Sequence, residues 1–279
     1  MKYMIYCTAA LAICFIVALL ITKVVLKKLN KKTRKIETAL ITIVVCVVLY
    51  CLVAIGYLSV YYHADMTDVN EAFAMPRISV TKLSDGGTKG YSFTKEGNEK
   101  ALIFYAGAKV DERAYSPLMA ELADSGIDCY LVEIPFHMAM FAADAPSWFI
   151  EKFNDNNYDV WMVGGHSMGG IVAAQYAAKH SDVIDGIVLL ASYSTASIPQ
   201  DIALCSIYGS NDGCLGMEQY ESHKVNFPAV SEEHVIDGGN HAQFASYGAQ
   251  KGDGKATISP DAQVDETAAI ICNFAKMIR

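Results

Sequence analysis

The stretch Asp159-Val160-Trp161-Met162-Val163-Gly164-Gly165-His166-Ser167-Met168-Gly169-Gly170-Ile171-Val172-Ala173-Ala174 decides how this chain is read. A strand-like run, Asp159 to Val163, enters a glycine-rich turn, and an alanine-rich helical segment, Met168 to Lys179, leaves it. The turn contains Gly165-x-Ser167-x-Gly169. A strand that reverses into a helix this tightly strains its central residue, and the residues two before and two after it must lack side chains that would clash. An ordinary glycine-rich turn is the competing reading, but a buried strand before and a helix after are what a nucleophilic serine requires. Ser167 is therefore the expected nucleophile. His166, its neighbour, is expected to pack or to line the site.

Outward from this turn, short apolar runs alternate with amphipathic stretches, the βα pattern of a parallel sheet. Ile78 to Leu83 and Gly90 to Phe93 read as an opening antiparallel pair around Ser84-Asp85-Gly86-Gly87, and Ala101 to Tyr105 reads as a central strand. A helix over 112–125 closes at Gly126. There follow a strand over 128–134, an aromatic-rich stretch 136–153, and strands over 186–190, 202–208 and 234–236. Helices over 215–224 and 260–278 complete the pattern. The expectation is one α/β domain over 77–279 with a mostly parallel, doubly wound sheet. Only residues 191–201 separate the strands 186–190 and 202–208, which leaves no room for a large lid.

Serine needs a base to take its proton and a carboxylate to orient that base. Four histidines follow Ser167: His180, His223, His234 and His241. The first two fall at helix C-terminal ends, where an imidazole satisfies carbonyls and the dipole, and His234 opens a strand. His241 lies in the glycine-rich loop Asp237-Gly238-Gly239-Asn240-His241, at a carboxyl edge where α/β sites assemble. Asp212, after the strand 202–208, is the expected acid; Asp237 is close in sequence to His241 for side-chain pairing but stays open. The oxyanion is expected to be met by the N–H of Met168, at a helix N-terminus, and by one from Ala106-Gly107-Ala108-Lys109, with Ala108 ahead of Lys109. Lys109, His166, Phe136 and Gln243 are the candidate substrate contacts. Phe136 belongs to an aromatic and methionine-rich stretch that either walls an acyl site or is core. Gln243 either shapes the site beside His241 or forms its turn.

The first 62 residues are a different object. They carry eight basic side chains against Glu37, a charge of +7, which leaves −15 of the whole-chain −8 for residues 63–279. A domain that acidic repels phosphate backbones, which excludes a nucleic-acid partner. With 53% apolar and 19% charged residues the chain is not disordered. The runs 4–26 and 38–62 are each long enough to cross the roughly 30 Å hydrocarbon core, and neither has a polar face at helical spacing. They predict a transmembrane hairpin with a basic loop, 27–35, in the cytoplasm and the domain outside it, joined by a polar linker, 63–76. A cleaved signal peptide competes for the first run. Neither CxxC nor a Cys/His cluster at metal spacing occurs, so no metal or organic cofactor is expected. Cys129 and Cys205 lie in strand-like runs and read as buried thiols, although Cys205 and Cys214 could flank one loop.

Several segments together carry a family resemblance: Phe104-Tyr105-Ala106-Gly107-Ala108-Lys109-Val110-Asp111 with Ala114-Tyr115, the serine turn, Ile207-Tyr208-Gly209-Ser210-Asn211-Asp212-Gly213, and Gly238-Gly239-Asn240-His241-Ala242-Gln243-Phe244 running on to Gly252-Asp253-Gly254. They span nearly all of 77–279. The domain resembles the α/β-hydrolase superfamily, and specifically a compact bacterial fold-5 group related in layout to the dienelactone hydrolases. Where that group often has Pro-Gly-Gly before the lysine, this chain has Ala106-Gly107-Ala108. The resemblance implies an α/β-hydrolase fold and a serine hydrolase with the triad Ser167, Asp212 and His241, without settling its substrate. Ester hydrolysis of a small or lipid-like acyl substrate, beside a lipid bilayer, is the leading expectation. Thioester or amide hydrolysis, acyl transfer to a cell-envelope acceptor, and an inactive scaffold used for binding are the alternatives.

Overall fold

The computed structural model describes residues 2–29, 34–85, 87–156 and 158–278. The chain divides into two compact units, Met1–Val60 and Tyr61–Arg279. The first holds two helices, α1 (Lys2–Lys28) and α2 (Lys35–Leu58). Ala10–Lys28 and Lys35–Leu58 are long and apolar enough to cross a membrane, with mean hydropathies of 2.4 and 2.9. The two pack through small side chains, Cys14, Ala18 and Cys46, as helices do where close backbone approach is needed. Residues 30–33 of the expected basic loop lie outside the described residues.

The second unit begins earlier than the sequence suggests. Tyr62 N–H donates to Lys109 O at 2.7 Å and Tyr62 O accepts from Asp111 N–H at 2.9 Å, a parallel bridge into the domain. The expected linker 63–76 is instead mostly the helix α3 (Met66–Phe73), capped by Asp65, whose carboxylate accepts from Thr67 N–H at 2.8 Å. Its Val69 and Ala72 are buried in the domain core. The segment is polar overall because only one stripe of a two-turn helix faces inward.

The sheet has eight strands: β1 (Ser79–Asp85), β2 (Thr88–Thr94), β3 (Lys100–Tyr105), β4 (Ile127–Val132), β5 (Val160–His166), β6 (Gly186–Leu190), β7 (Ala203–Gly209) and β8 (Ser231–Ile236), in the order β1-β2-β4-β3-β5-β6-β7-β8. β1 and β2 pair antiparallel, β2 joins β4 antiparallel, and every later pairing is parallel. β4 and β6 are buried along their whole length and β3 beyond Lys100, as expected of central parallel strands covered on both faces. The cover is α4 (Ser116–Asp124), α5 (Ala145–Lys152), α6 (Met168–Ala177), α7 (Met217–His223) and α8 (Pro260–Met277). The helix expected over 112–125 is a 3₁₀ turn, Glu112–Tyr115, followed by α4. β3, β5, β7 and β8 end on the same sheet edge because they run parallel. The loops that follow them, carrying Ala108, Ser167, Asp212 and His241, therefore converge.

Candidate active site

Ser167 sits between β5 and α6 in the left-handed region, with φ +53° and ψ −120°. Its N–H donates to Leu190 O at 2.9 Å, and its carbonyl accepts from Ser192 Oγ at 2.6 Å. The flanking glycines are explained by contact. A Cβ on Gly165 would lie 2.7 Å from Gly170 N, and one on Gly169 would overlap the carbonyl oxygen of Ala106. The start of α6 is thus pressed directly on the loop after β3.

In that loop, Gly107 N–H donates to Tyr115 Oη at 3.1 Å and Lys109 N–H to His137 O at 2.7 Å. Of the three consecutive N–H groups at 107, 108 and 109, these bonds leave Ala108. Gly170 and Ile171 N–H turn back to Ser167 O, while Met168 is the first residue of α6 and its N–H belongs to the unsatisfied first turn.

Asp212 and His241 meet although they follow different strands. His241 Nδ1 is 2.8 Å from Asp212 Oδ2, and both side chains are almost completely buried. Asp212 Oδ1 accepts from Cys214 N–H at 2.8 Å and Leu215 N–H at 2.7 Å. A carboxylate holding three donors can only accept, so Nδ1 carries the imidazole proton and Nε2 is left as the acceptor. A Cβ on Gly209 would overlap the backbone of Gly239, and Asn211 N–H donates to Gly239 O at 2.8 Å. The loops of Asp212 and His241 lie backbone to backbone.

His166 joins His241 to the serine turn. Its ring is 4.4 Å from that of His241 and 5.6 Å from Phe244. Its Nδ1 is 2.7 Å from Tyr115 Oη. Since that oxygen already receives Gly107 N–H, its own hydrogen goes to Nδ1. Burial lowers the His166 pKa well below the ordinary histidine value, and the proximity of His241 adds to this; the ring is neutral. A positive charge forming on His241 thus meets a neutral ring. Burial raises the Tyr115 phenol above its usual range, partly offset by Gly107 N–H, so it remains a donor. Tyr115→Phe strands two buried groups, Gly107 N–H and His166 Nδ1, at an expected cost of about 1–3 kcal/mol. Thermal unfolding followed by near-UV circular dichroism should show it as a fall of about 2–4 °C per kcal/mol. An unchanged midpoint would mean the hydroxyl contributes nothing net.

The other expected contacts divide. His166, expected to pack or to line the site, packs: it is only 1% exposed, against Tyr115, His241 and Phe244. Lys109 uses its N–H on His137, which removes it as the alternative oxyanion donor. Gln243 is held in its own turn, N–H to Asn240 Oδ1 at 3.0 Å and Nε2 to Ile258 O at 3.4 Å. Phe136 is outward, 56% exposed. Cys205 and Cys214 are both free thiols.

Sequence reasoning missed the weight of Asp253. Its Oδ1 accepts from Gly213 N–H at 3.0 Å and His241 N–H at 3.2 Å, and its Oδ2 from Ala242 N–H at 2.9 Å. This one carboxylate ties the loop of Asp212 to the loop of His241. Its place in Gly252-Asp253-Gly254, a turn-forming triplet, was the available signal.

The model of the alpha/beta hydrolase family matches residues 101–265, more than half of the chain and every residue of this cluster. The chain belongs to the alpha/beta hydrolase family. No curated protein matches the sequence of this hydrolase. Among solved structures it is similar to a dienelactone hydrolase from Anabaena variabilis, with a TM-score of 0.53 at 13% identity over 73% of this chain and 98% of that one. It is also similar to carboxyl esterase 2 from the mycorrhizal fungus Tuber melanosporum, with a TM-score of 0.56 at 12% identity over 78% and 92%. A CIB-like hydrolase from Thermoplasma acidophilum aligns at 0.52 and 15% identity over 70% and 98%. At such identities the likeness shows the hydrolase's fold alone.

Proposed function

We propose that the protein is a membrane-anchored serine hydrolase that cleaves carboxylic esters through an acyl-enzyme. The observation that carries this reading is the buried Asp212–His241 hydrogen bond beside a left-handed Ser167 at the β5–α6 turn. Packing alone does not call for that combination: a half-buried serine in strained backbone, whose chain neighbour His166 packs at 4.4 Å on an imidazole whose tautomer is fixed by a carboxylate.

Ser167 Oγ attacks the ester carbonyl carbon while its proton passes to His241 Nε2. The carbonyl oxygen becomes an oxyanion facing the N–H groups of Met168 and Ala108, the former at a helix N-terminus that favours negative charge. Collapse expels the alkoxide, which takes the proton from His241 and leaves as the alcohol. Water then attacks the acyl-serine as His241 removes its proton. The second oxyanion collapses to the acid, and Ser167 recovers its hydrogen. Asp212 stays ionised and holds the imidazolium in place. Phe136, in the short turn Pro135–His137 after β4, is proposed to wall the acyl side. The apolar helices α1 and α2 are proposed to span the bilayer, with the basic residues between them cytoplasmic and the hydrolase unit on the opposite side.

Labelling of the full chain in membranes with a fluorophosphonate probe tests the chemistry. The adduct is expected on Ser167 by peptide mass mapping, together with turnover of soluble acyl esters. Modification of another residue, or none with no ester turned over, would overturn the reading.

A further inference from the structure

Phe136, Met140 and Phe141 are each more than half exposed, three large apolar side chains on one short segment between β4 and α5. The segment is not loose. His137 N–H donates to Ile134 O at 3.0 Å, Met138 N–H to Pro135 O at 3.2 Å and Phe141 N–H to Met138 O at 3.0 Å. Phe136 and His137 both adopt left-handed backbone, φ +54° and +53°, so the fold accepts strain to present this turn as it does. The rings of Phe136 and Phe141 pack edge to face at 5.9 Å. Beside them an open groove of about 690 Å³ takes in Val132 and Ile134 together with the charged Lys89, Glu112, Glu133 and Asp144, so the apolar surface is the exposed rim formed by the three side chains. Exposed apolar clusters of this kind mark surfaces that meet something apolar.

Two further contacts say what covers it. His137 O holds Lys109 N–H, which attaches the segment to the loop of Ala108, one side of the candidate active site. The ring of His137 also stacks on Tyr61 at 3.8 Å. Tyr61 is where the chain enters the hydrolase unit, and only Ser59 and Val60 separate it from the end of α2 at Leu58. A chain that leaves a membrane at Leu58 keeps Tyr61 within about 10 Å of that point, whatever the orientation of the unit that follows. We infer that Phe136, Met140 and Phe141 form a bilayer-contact face, and that the substrate is a glycerolipid-type ester drawn from the membrane through it. The inference rests on the proposed spans and on the proposed ester chemistry. An aromatic pair with a neighbouring methionine, on a segment hydrogen-bonded through His137 O to the loop of Ala108, suits acyl chains entering from the interface.

Two measurements on the full chain in phospholipid vesicles test it. In the first, Phe141→Trp is compared with the unsubstituted protein in vesicles of phosphatidylcholine brominated near the headgroup end of its acyl chains. Extra tryptophan quenching, beyond that of the native Trp148 and Trp161, is expected. No extra quenching overturns the bilayer face, and protection from acrylamide without lipid quenching assigns the patch to a protein partner or a second copy instead. This readout does not depend on catalysis, so its failure is distinct from failure of the ester reading. In the second, dioleoylglycerol in the vesicles and soluble p-nitrophenyl butyrate are offered to the unsubstituted protein and to Met140→Glu/Phe141→Glu. The ratio of lipid to soluble turnover should fall about tenfold or more in the variant, a change that a general loss of folding, acting on both substrates alike, would not produce. An unchanged ratio, or turnover of the soluble ester with none of the lipid by the unsubstituted protein, overturns the lipid substrate.

Discussion

Ser167→Ala should leave the hydrolase unit folded and reduce ester turnover by about 10³-fold or more, because a triad acts as a unit and loses nearly all its advantage with any principal member. Alanine keeps the Cβ that the left-handed position already tolerates, so the elbow and its contacts with Gly165 and Gly169 are retained. What remains is catalysis by the oxyanion donors and by binding alone. Ser192, a hydroxyl fixed to the elbow, cannot take over, since its hydrogen is committed to the carbonyl of Ser167 at 2.6 Å. Steady-state kinetics on a soluble ester, with thermal unfolding as the control for folding, measures the effect. Comparable turnover in the folded variant would place the nucleophile elsewhere.

Asp212→Asn is the second large effect, expected at about 10⁴-fold in kcat. The surroundings force the outcome. The amide oxygen must face Cys214 N–H and Leu215 N–H, because turning it would set its NH₂ against two donors. The NH₂ then faces His241 Nδ1, which becomes an acceptor and pushes the ring proton to Nε2. An imidazole protonated there cannot take the serine proton. Asp237→Asn is the control: among the described residues this carboxylate accepts a 3.3 Å contact from Ser210 Oγ at the surface, and turnover within about twofold of the unsubstituted protein is expected for such a surface change. If the two results were exchanged, the acid would lie in the loop of His241 itself.

Much of this arrangement is legible in the sequence because it depends on local chemistry. The elbow is written in Gly165 and Gly169, where backbone meets backbone, and the sheet in runs of apolar residues long enough only for strands. The order of acid and base follows from which loops end at the carboxyl edge, a consequence of parallel pairing. What escapes is fixed by contacts distant in sequence. Nothing near Asp65 or Val69 says that 63–76 docks against α4 and the loop of Val110; its buried stripe is two residues wide. His166 reads equally well as a site wall or a packed ring, and only Tyr115, 51 positions earlier, decides between them. The use of Lys109 N–H is likewise settled by a carbonyl in the next βα loop. Asp253 resembles any turn aspartate until the amides of Gly213, His241 and Ala242 are seen to converge on it.

That convergence bears on how such a protein can change its architecture. Because Asp253 anchors both the loop after β7 and the loop after β8, the lengths of 209–214, 237–242 and the chain between 243 and 253 are coupled. An insertion or deletion in one displaces the anchor for the others, and a graft of the His241 loop that omits the turn around Asp253 would detach base from acid. The stretch 195–201 is held differently, through Gln175 to Thr195 and Ile198 to Asn226, away from the groups that Asp253 joins. New chain length added there would build a cover over Ser167 without shifting Asp212 or His241, so acquisition of a lid and retention of the proposed triad are geometrically independent in this scaffold.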